Sequence, residues 1–263
     1  SVIKSTARGL RRVEDAELAA NGAEMLLEKN DRWAKPATWR AIRSAGQVYT
    51  SSYYLTAVDM EYDSEGDIVQ RDTQIYKQLY TKTLKMALII TGLTMLLGYP
   101  LAFYMSQASP ATANFLMVFV LLPFWTSLLV RTTAWIALLQ AGGVVNSSLL
   151  WAGLIDEPIE LLYNEFSTIL AMTHILLPFM VLPLYAVMRG IDSSFMRAAI
   201  SMGSNPIGAW YKIYLPMSLP GLSAGALLVF IISVGYYITP ALVGGTDGQM
   251  ISHIIALHMQ VSN

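Results

Sequence analysis

Four apolar stretches constrain this chain more than any other feature. They lie at about residues 86–106, 113–139, 167–188 and 219–240, and each reaches the roughly 20 residues that cross a ~30 Å hydrocarbon core. Inside a bilayer every backbone polar group must be satisfied within the protein, which leaves helices and closed barrels as the spanning structures. Apolar runs this long, with no polar alternation, specify helices. The expected fold class is therefore all-α, a polytopic helical membrane protein. All four stretches are internal and too long to be a signal peptide.

Charge divides the chain. Residues 1–85 hold 13 of its 17 Lys and Arg and 12 of its 18 Asp and Glu, so a polar segment over residues 1–80 is expected before a membrane domain over 81–263. A helical run over Lys4–Leu27 and a polar, tyrosine-containing stretch over Tyr49–Tyr80 suggest a small folded cap. The loop at 189–218 carries Arg189, Arg197 and Lys212 against Asp192, whereas the loop at 140–166 carries Asp156, Glu157, Glu160 and Glu165 with no Lys or Arg. The positive-inside rule places the first loop in the cytoplasm and the second outside, with residues 1–80 and 241–263 also outside. Lys77, Lys82 and Lys85 argue the other way, but the long segment before them is largely exempt from the rule. The chain has no cysteine, which excludes disulfides and thiolate metal sites.

The 189–218 loop has its own helix grammar. Asp192 or Ser193 can cap a helix that Gly203 is placed to end, because glycine enters the left-handed conformation without a Cβ penalty. Asn205-Pro206 reads as an N-cap followed by proline at the first helical position, opening a second short helix that Pro216 is expected to end. Ala198 and Ala199 would keep one face of the first helix thin enough to slot into a cleft on another protein. An ordinary amphipathic connector is the plainer reading of the same signals.

Arg197-Ala198-Ala199, Gly203, Ile213 and Leu215-Pro216 stand at spacings that resemble the cytoplasmic EAA loop of bacterial ABC importer permeases. The family pattern opens with an acid, and Arg197 stands in its place. The resemblance implies a type I ABC importer permease fold, with Arg197, Ala198, Ala199, Gly203, Asn205, Pro206, Ile213, Leu215 and Pro216 as the ATPase-coupling loop. It also implies a dimer of ATPases holding the ATP, a second homologous permease, a periplasmic solute-binding protein and residence in a bacterial inner membrane. Such a permease has six spans, of which four are visible. The chain begins at Ser1 and stops at Asn263, so one span is expected before it and one after.

Three further strings narrow the resemblance to the spermidine/putrescine branch, B-type subunit: Leu97-Gly98-Tyr99-Pro100-Leu101-Ala102, the run Leu121–Trp135 containing Pro123-Phe124-Trp125-Thr126-Ser127, and Tyr236-Tyr237-Ile238-Thr239-Pro240 with Gly244-Gly245. A polyamine cargo is what this implies, with another small solute of the same importer class as the alternative.

Arg131 is the only charged residue in the four stretches, and a charge at membrane depth costs about 2.5 kcal/mol or more unless it finds water or a partner. It either snorkels to an interface or holds an outer gate closed through backbone carbonyls or an acid such as Glu165. Phe124, Trp125, Tyr236 and Tyr237 offer aromatic faces that suit a cation route, or else belt anchors at the interface. Pro123, Pro178, Pro183 and Gly235 are candidate hinges. The acidic 156–165 loop reads as a solvated loop or a docking surface, His174 as a hydrogen-bonded packing residue, and Asn146 as a turn residue.

Absences separate the function classes. No glycine is followed by lysine and no paired histidines occur, so the sequence offers neither a phosphate-binding loop nor a metal site. The four stretches contain no Asp or Glu, the usual relays of ion-coupled carriers. A membrane enzyme would need a convergent nucleophile, base or metal set, which these residues do not supply; no catalytic residue and no nucleic-acid partner is expected.

Overall fold

The structure, a computed structural model, describes residues 6, 15–36, 38, 39, 42, 51–63 and 67–261. The chain divides into two compact units, residues 1–77 and 78–263.

In the first unit, helix α1 (Asp15–Lys29) leads into a 3₁₀ turn at Asp31–Ala34, capped by the Asn30 side chain on the Arg32 N–H. The remainder of the expected Lys4–Leu27 helix lies, Thr6 apart, outside the described residues. Trp33 is buried and donates through its indole to Thr6 at 2.9 Å, while the Trp39 indole donates to the Trp33 carbonyl. A short helix α2 (Ser52–Ala57) precedes an antiparallel pair, β1 (Met60–Tyr62) and β2 (Ile68–Gln70), in register Glu61 to Val69. Asp59, buried at φ 57, ties this hairpin to the next helix by accepting the N–H groups of Tyr76 and Lys77. Burial pushes its carboxyl up, but backbone N–H groups of Lys77, Tyr76 and Ile75 outweigh burial and hold it below the usual carboxylate value.

The membrane part is helical: α3 (Ile75–Gln107), α4 (Pro110–Trp125), α5 (Leu128–Leu139), α6 (Val144–Trp151), α7 (Glu165–Arg189), α8 (Ser193–Ser201), α9 (Pro206–Ala209), α10 (Leu215–Gly235), α11 (Ile238–Val243) and α12 (Ile251–Val261). Among the described residues, four helical runs are long and apolar enough to cross a membrane: 75–107, 128–151, 165–189 and 206–235.

Two of the expected spans differ from these. The stretch 113–139 is not one helix but α4 and α5, broken at Thr126-Ser127. Pro123 removes one N–H from the last turn of α4, the Thr126 hydroxyl donates back to the freed chain at the Pro123 carbonyl, and the backbone turns extended at Thr126. The fourth expected span, 219–240, starts earlier and stops sooner. Helical structure runs on from Pro206 to Gly235, and Tyr236 is extended.

Helix α7 is the axis of the packing, with Met172, Leu176, Met180, Val181, Leu184 and Met188 wholly or nearly wholly buried. Helix α10 crosses it closely through Gly221 and Gly225. A Cβ on Gly225 would lie 2.9 Å from the Met180 sulfur and 3.0 Å from its carbonyl oxygen, and one on Gly221 2.9 Å from Val187 Cβ. Small residues four apart are how membrane helices reach van der Waals contact without a hydrophobic driving force between them. Met180 is also the neighbour of Gly98 on α3, so one flexible thioether fills the gap beside two glycines. Pro178 and Pro183 lie inside α7 without breaking it.

Polar ties close both ends. At one end Glu165, in the first turn of α7, pairs with Lys85 at 2.9 Å and Lys82 at 3.8 Å; nearby, Ser167 donates to the Val243 carbonyl and Thr83 accepts the Ile251 N–H. At the other, Tyr99 bonds Ser218 and Ser106 bonds Tyr214, each at 3.0 Å. Asn146, expected in a turn, is instead buried in α6. Its amide donates to the carbonyls of Gln140 and Ile159 and accepts the Ile159 N–H, stapling the following loop to the helix.

Candidate functional site: a helical elbow and a broken span

The elbow is built by its caps. Asp192 accepts the Ser194 N–H at the start of α8; that bond, with help from the Ser194 hydroxyl and the Arg197 charge, holds the Asp192 carboxyl below its ordinary value. At the other end the N–H groups of Gly203 and Ser204 return to the carbonyls of Ile200 and Ala199, which requires a left-handed residue between them. Gly203 supplies it at φ 94. Asn205 caps the next helix through Gly208, with Pro206 in the first turn.

Pro216 does not end that helix. Between α9 and α10 lies a single π turn, Trp210–Tyr214, in which the Leu215 N–H reaches the Trp210 carbonyl. Pro216 has no N–H to give Lys212, and its ring crowds that carbonyl in an α turn. The wider π turn relieves the crowding, so the elbow runs into its span as one rod. Tyr214 is buried against Phe103, ring centroids 5.0 Å apart, and Trp210 meets Tyr99 edge-on at 5.8 Å.

The two alanines face different ways, rather than thinning one face together. Ala199 is buried inside the elbow, whereas Ala198 is exposed beside Arg197. Ile213 and Leu215 are half-buried, and Asn205, Pro206 and Pro216 are exposed. Outward, the elbow shows Phe195, Ile200, Met202, Ile207 and Tyr211, with Met202 and Ile207 about 80% exposed. The Arg197 guanidinium donates to Ser193 one turn back and makes no ion pair among the described residues.

At the broken span Arg131 occupies the first turn of α5. It donates from Nη2 to the Thr126 carbonyl at 3.2 Å, across the break, while its Nε is buried without a partner. The acid suggested for it, Glu165, is engaged by Lys82 and Lys85 instead. Tyr236 and His174 both lie within electrostatic reach of Arg131; Trp135 donates to His174, and Tyr236 shares a side-chain hydrogen bond with Thr239. Phe124 packs edge-on against Phe179 at 5.0 Å. Trp125 is 89% exposed and Tyr237 43% exposed. Asp156, Glu157 and Glu160 are all exposed in the loop after α6. Among the described residues no group of three His, Asp or Glu is placed to hold a metal.

The sequence reading missed the Thr126-Ser127 break, the π turn, and the Asn146 staple. Pro123 signalled the first and Pro216 the second; the third had no local signal, since one of its partners is thirteen residues away.

The family model for the binding-protein-dependent transport system inner membrane component matches residues 94–259. Among curated relatives, the spermidine/putrescine transport system permease protein PotB of Haemophilus influenzae is 34% identical over 72% of this chain, and that of Escherichia coli is 33% identical over 69%. The chain spans 66% of the length of each of these two relatives. A bacterial ABC transporter that imports the acidic polysaccharide alginate shares the fold, at a TM-score of 0.53 and 18% identity, over 89% of this chain and 86% of that one. With its all-helical membrane fold and a match running from the middle of α3 almost to the end of α12, the chain belongs to the family of binding-protein-dependent transport system inner membrane components, multi-pass proteins of the inner membrane.

Proposed function

We propose that this chain is the permease subunit of an ATP-driven importer of polyamines, coupled to a separate ATPase through residues 193–216. The observation that carries the coupling role is the elbow: a capped helix, a left-handed glycine and a second helix continuous with a span, with an apolar face turned outward. A push on the elbow then reaches α10 through α9, because helical structure is continuous from Pro206 to Gly235. The names of the two PotB relatives support spermidine or putrescine as cargo.

A solute-binding protein would deliver the cargo outside, a second permease would complete the path, and the ATPase dimer would bind and hydrolyse ATP. Arg131 is best suited to latching the α4–α5 break, since its guanidinium is spent on a backbone carbonyl and a cation is a poor ligand for a polycation. Phe124, Trp125, Tyr236 and Tyr237 are the aromatic faces available to the route.

The test is uptake of radiolabelled spermidine and putrescine by cells that lack their own polyamine importers and express this subunit with its partners. ATP-dependent uptake that vanishes when this subunit is omitted is expected. Uptake no greater than in cells without the subunit, with all partners present in the membrane, overturns the polyamine reading.

A further inference from the structure

Arg197, on the first helix of the elbow, makes no ion pair among the described residues. The charged groups of the 189–218 segment are Arg189, Asp192, Arg197 and Lys212. Asp192 is committed to capping α8, with its carboxylate on the Ser194 N–H. Arg197 is exposed, bonds only a neutral hydroxyl one turn back, and stands on the same helix as exposed Phe195 and Ile200, near exposed Met202. Among the described residues this guanidinium has no carboxylate within ion-pair distance; Ser193, Ser194 and Ser201 flank it on α8 with Ile200 one turn on, and the rest of the elbow's outward face is apolar. An exposed arginine on an otherwise apolar surface is the composition of an interface anchor, and its fork binds carboxylate or phosphate bidentately, of which a protein partner's own side chains offer the carboxylate.

We infer that the ATPase docking on this elbow presents an apolar cleft with a carboxylate placed to receive Arg197. The inference rests on the coupling role proposed above and specifies the partner's chemistry. It also gives Ala198 a reason to be small. A larger side chain beside Arg197 on the exposed face would hold the cleft away from the guanidinium. Charge at this position would then select the partner: an ATPase whose cleft carries a cation there is repelled, because like charges placed together at an interface oppose docking strongly.

The experiment purifies the full-length subunit from membranes co-expressing its ATPase and measures the ATPase retained, by its ATP hydrolysis, for wild type and for Arg197→Lys, Arg197→Gln and Arg197→Glu. Arg197 is exposed, so the variants should insert equally, and membrane abundance is scored alongside. The expected order is wild type, Lys, Gln, Glu, with Glu retaining at least about tenfold less. Retention by wild type should also fall as salt rises from about 0.05 to 0.5 M, and that by Gln should respond less. Ile207→Asp, which spoils the apolar face, shows that the assay detects lost docking. ATPase retained equally by wild type and Arg197→Glu, but lost in Ile207→Asp, overturns the carboxylate and leaves the coupling role standing. No ATPase retained by wild type overturns both.

Discussion

At Gly203 the backbone takes φ 94, and nothing lies within 4 Å of where a Cβ would stand. A substitution there meets strain but no clash, so its effect isolates backbone conformation from packing. Gly203→Val should cost on the order of 1–2 kcal/mol of local elbow stability, because a β-branched residue enters this region least readily. Asn should fall between the two. Transport measured per inserted subunit should therefore rank Gly, Asn, Val at unchanged membrane abundance, and wild-type transport by Gly203→Val would remove the elbow from the coupling mechanism. Residues like this one were legible in the sequence because cap and turn signals act over three or four positions. Asp192, Gly203, Asn205 and Pro206 all stand where local chemistry put them. Arg131 and Asn146 were not legible, because their roles depend on carbonyls brought close by the fold.

At the scale of elements, hydropathy located the membrane runs but not their ends, since an apolar residue scores alike before and after a break. The Thr126-Ser127 interruption is flanked on both sides by side chains as apolar as any span. Proline at 216 was read as a stop because an α turn cannot hold it; the π turn that can is a property of the whole rod. The α7–α10 crossing likewise needed the structure, although the spacing of Gly221 and Gly225 was present throughout. Its energetics are testable. Gly225→Val forces a side chain toward the Met180 carbonyl, which cannot swing aside as the thioether can, and overpacking of this kind costs about 1–3 kcal/mol. Gly92, on α3 with nothing within 4 Å, is the control, and Gly92→Ala should be neutral or gain up to about 1 kcal/mol from helix propensity. Thermal unfolding in detergent should place Gly225→Val well below wild type and Gly92→Ala at or above it. Equal midpoints for the two variants would mean that the crossing is looser than its geometry.

For the molecule as a whole, the distribution of cations predicts which way it sits in the membrane. Arg189, Arg197 and Lys212 gather at the elbow end of α7 and α10, where no acid among the described residues pairs with them. Lys82 and Lys85, which argue for the opposite orientation, pair with Glu165 at the other end of α7 and follow a long polar segment that is largely exempt from the rule. The positive-inside rule therefore predicts the elbow end in the cytoplasm and the Asp156–Glu160 loop outside. Only α7 separates them, and its 25 residues give about 37 Å of helix, enough for one crossing. Because the chain has no cysteine, single thiols can be placed without background. Glu157→Cys, in the exposed loop, should react with a membrane-impermeant maleimide added to intact spheroplasts. Met202→Cys, about 80% exposed on the elbow, should react only after the membrane is permeabilised. Labelling of Met202→Cys first would invert the molecule and place the elbow beyond reach of any cytoplasmic ATPase. Labelling of both from outside would mean that α7 does not cross.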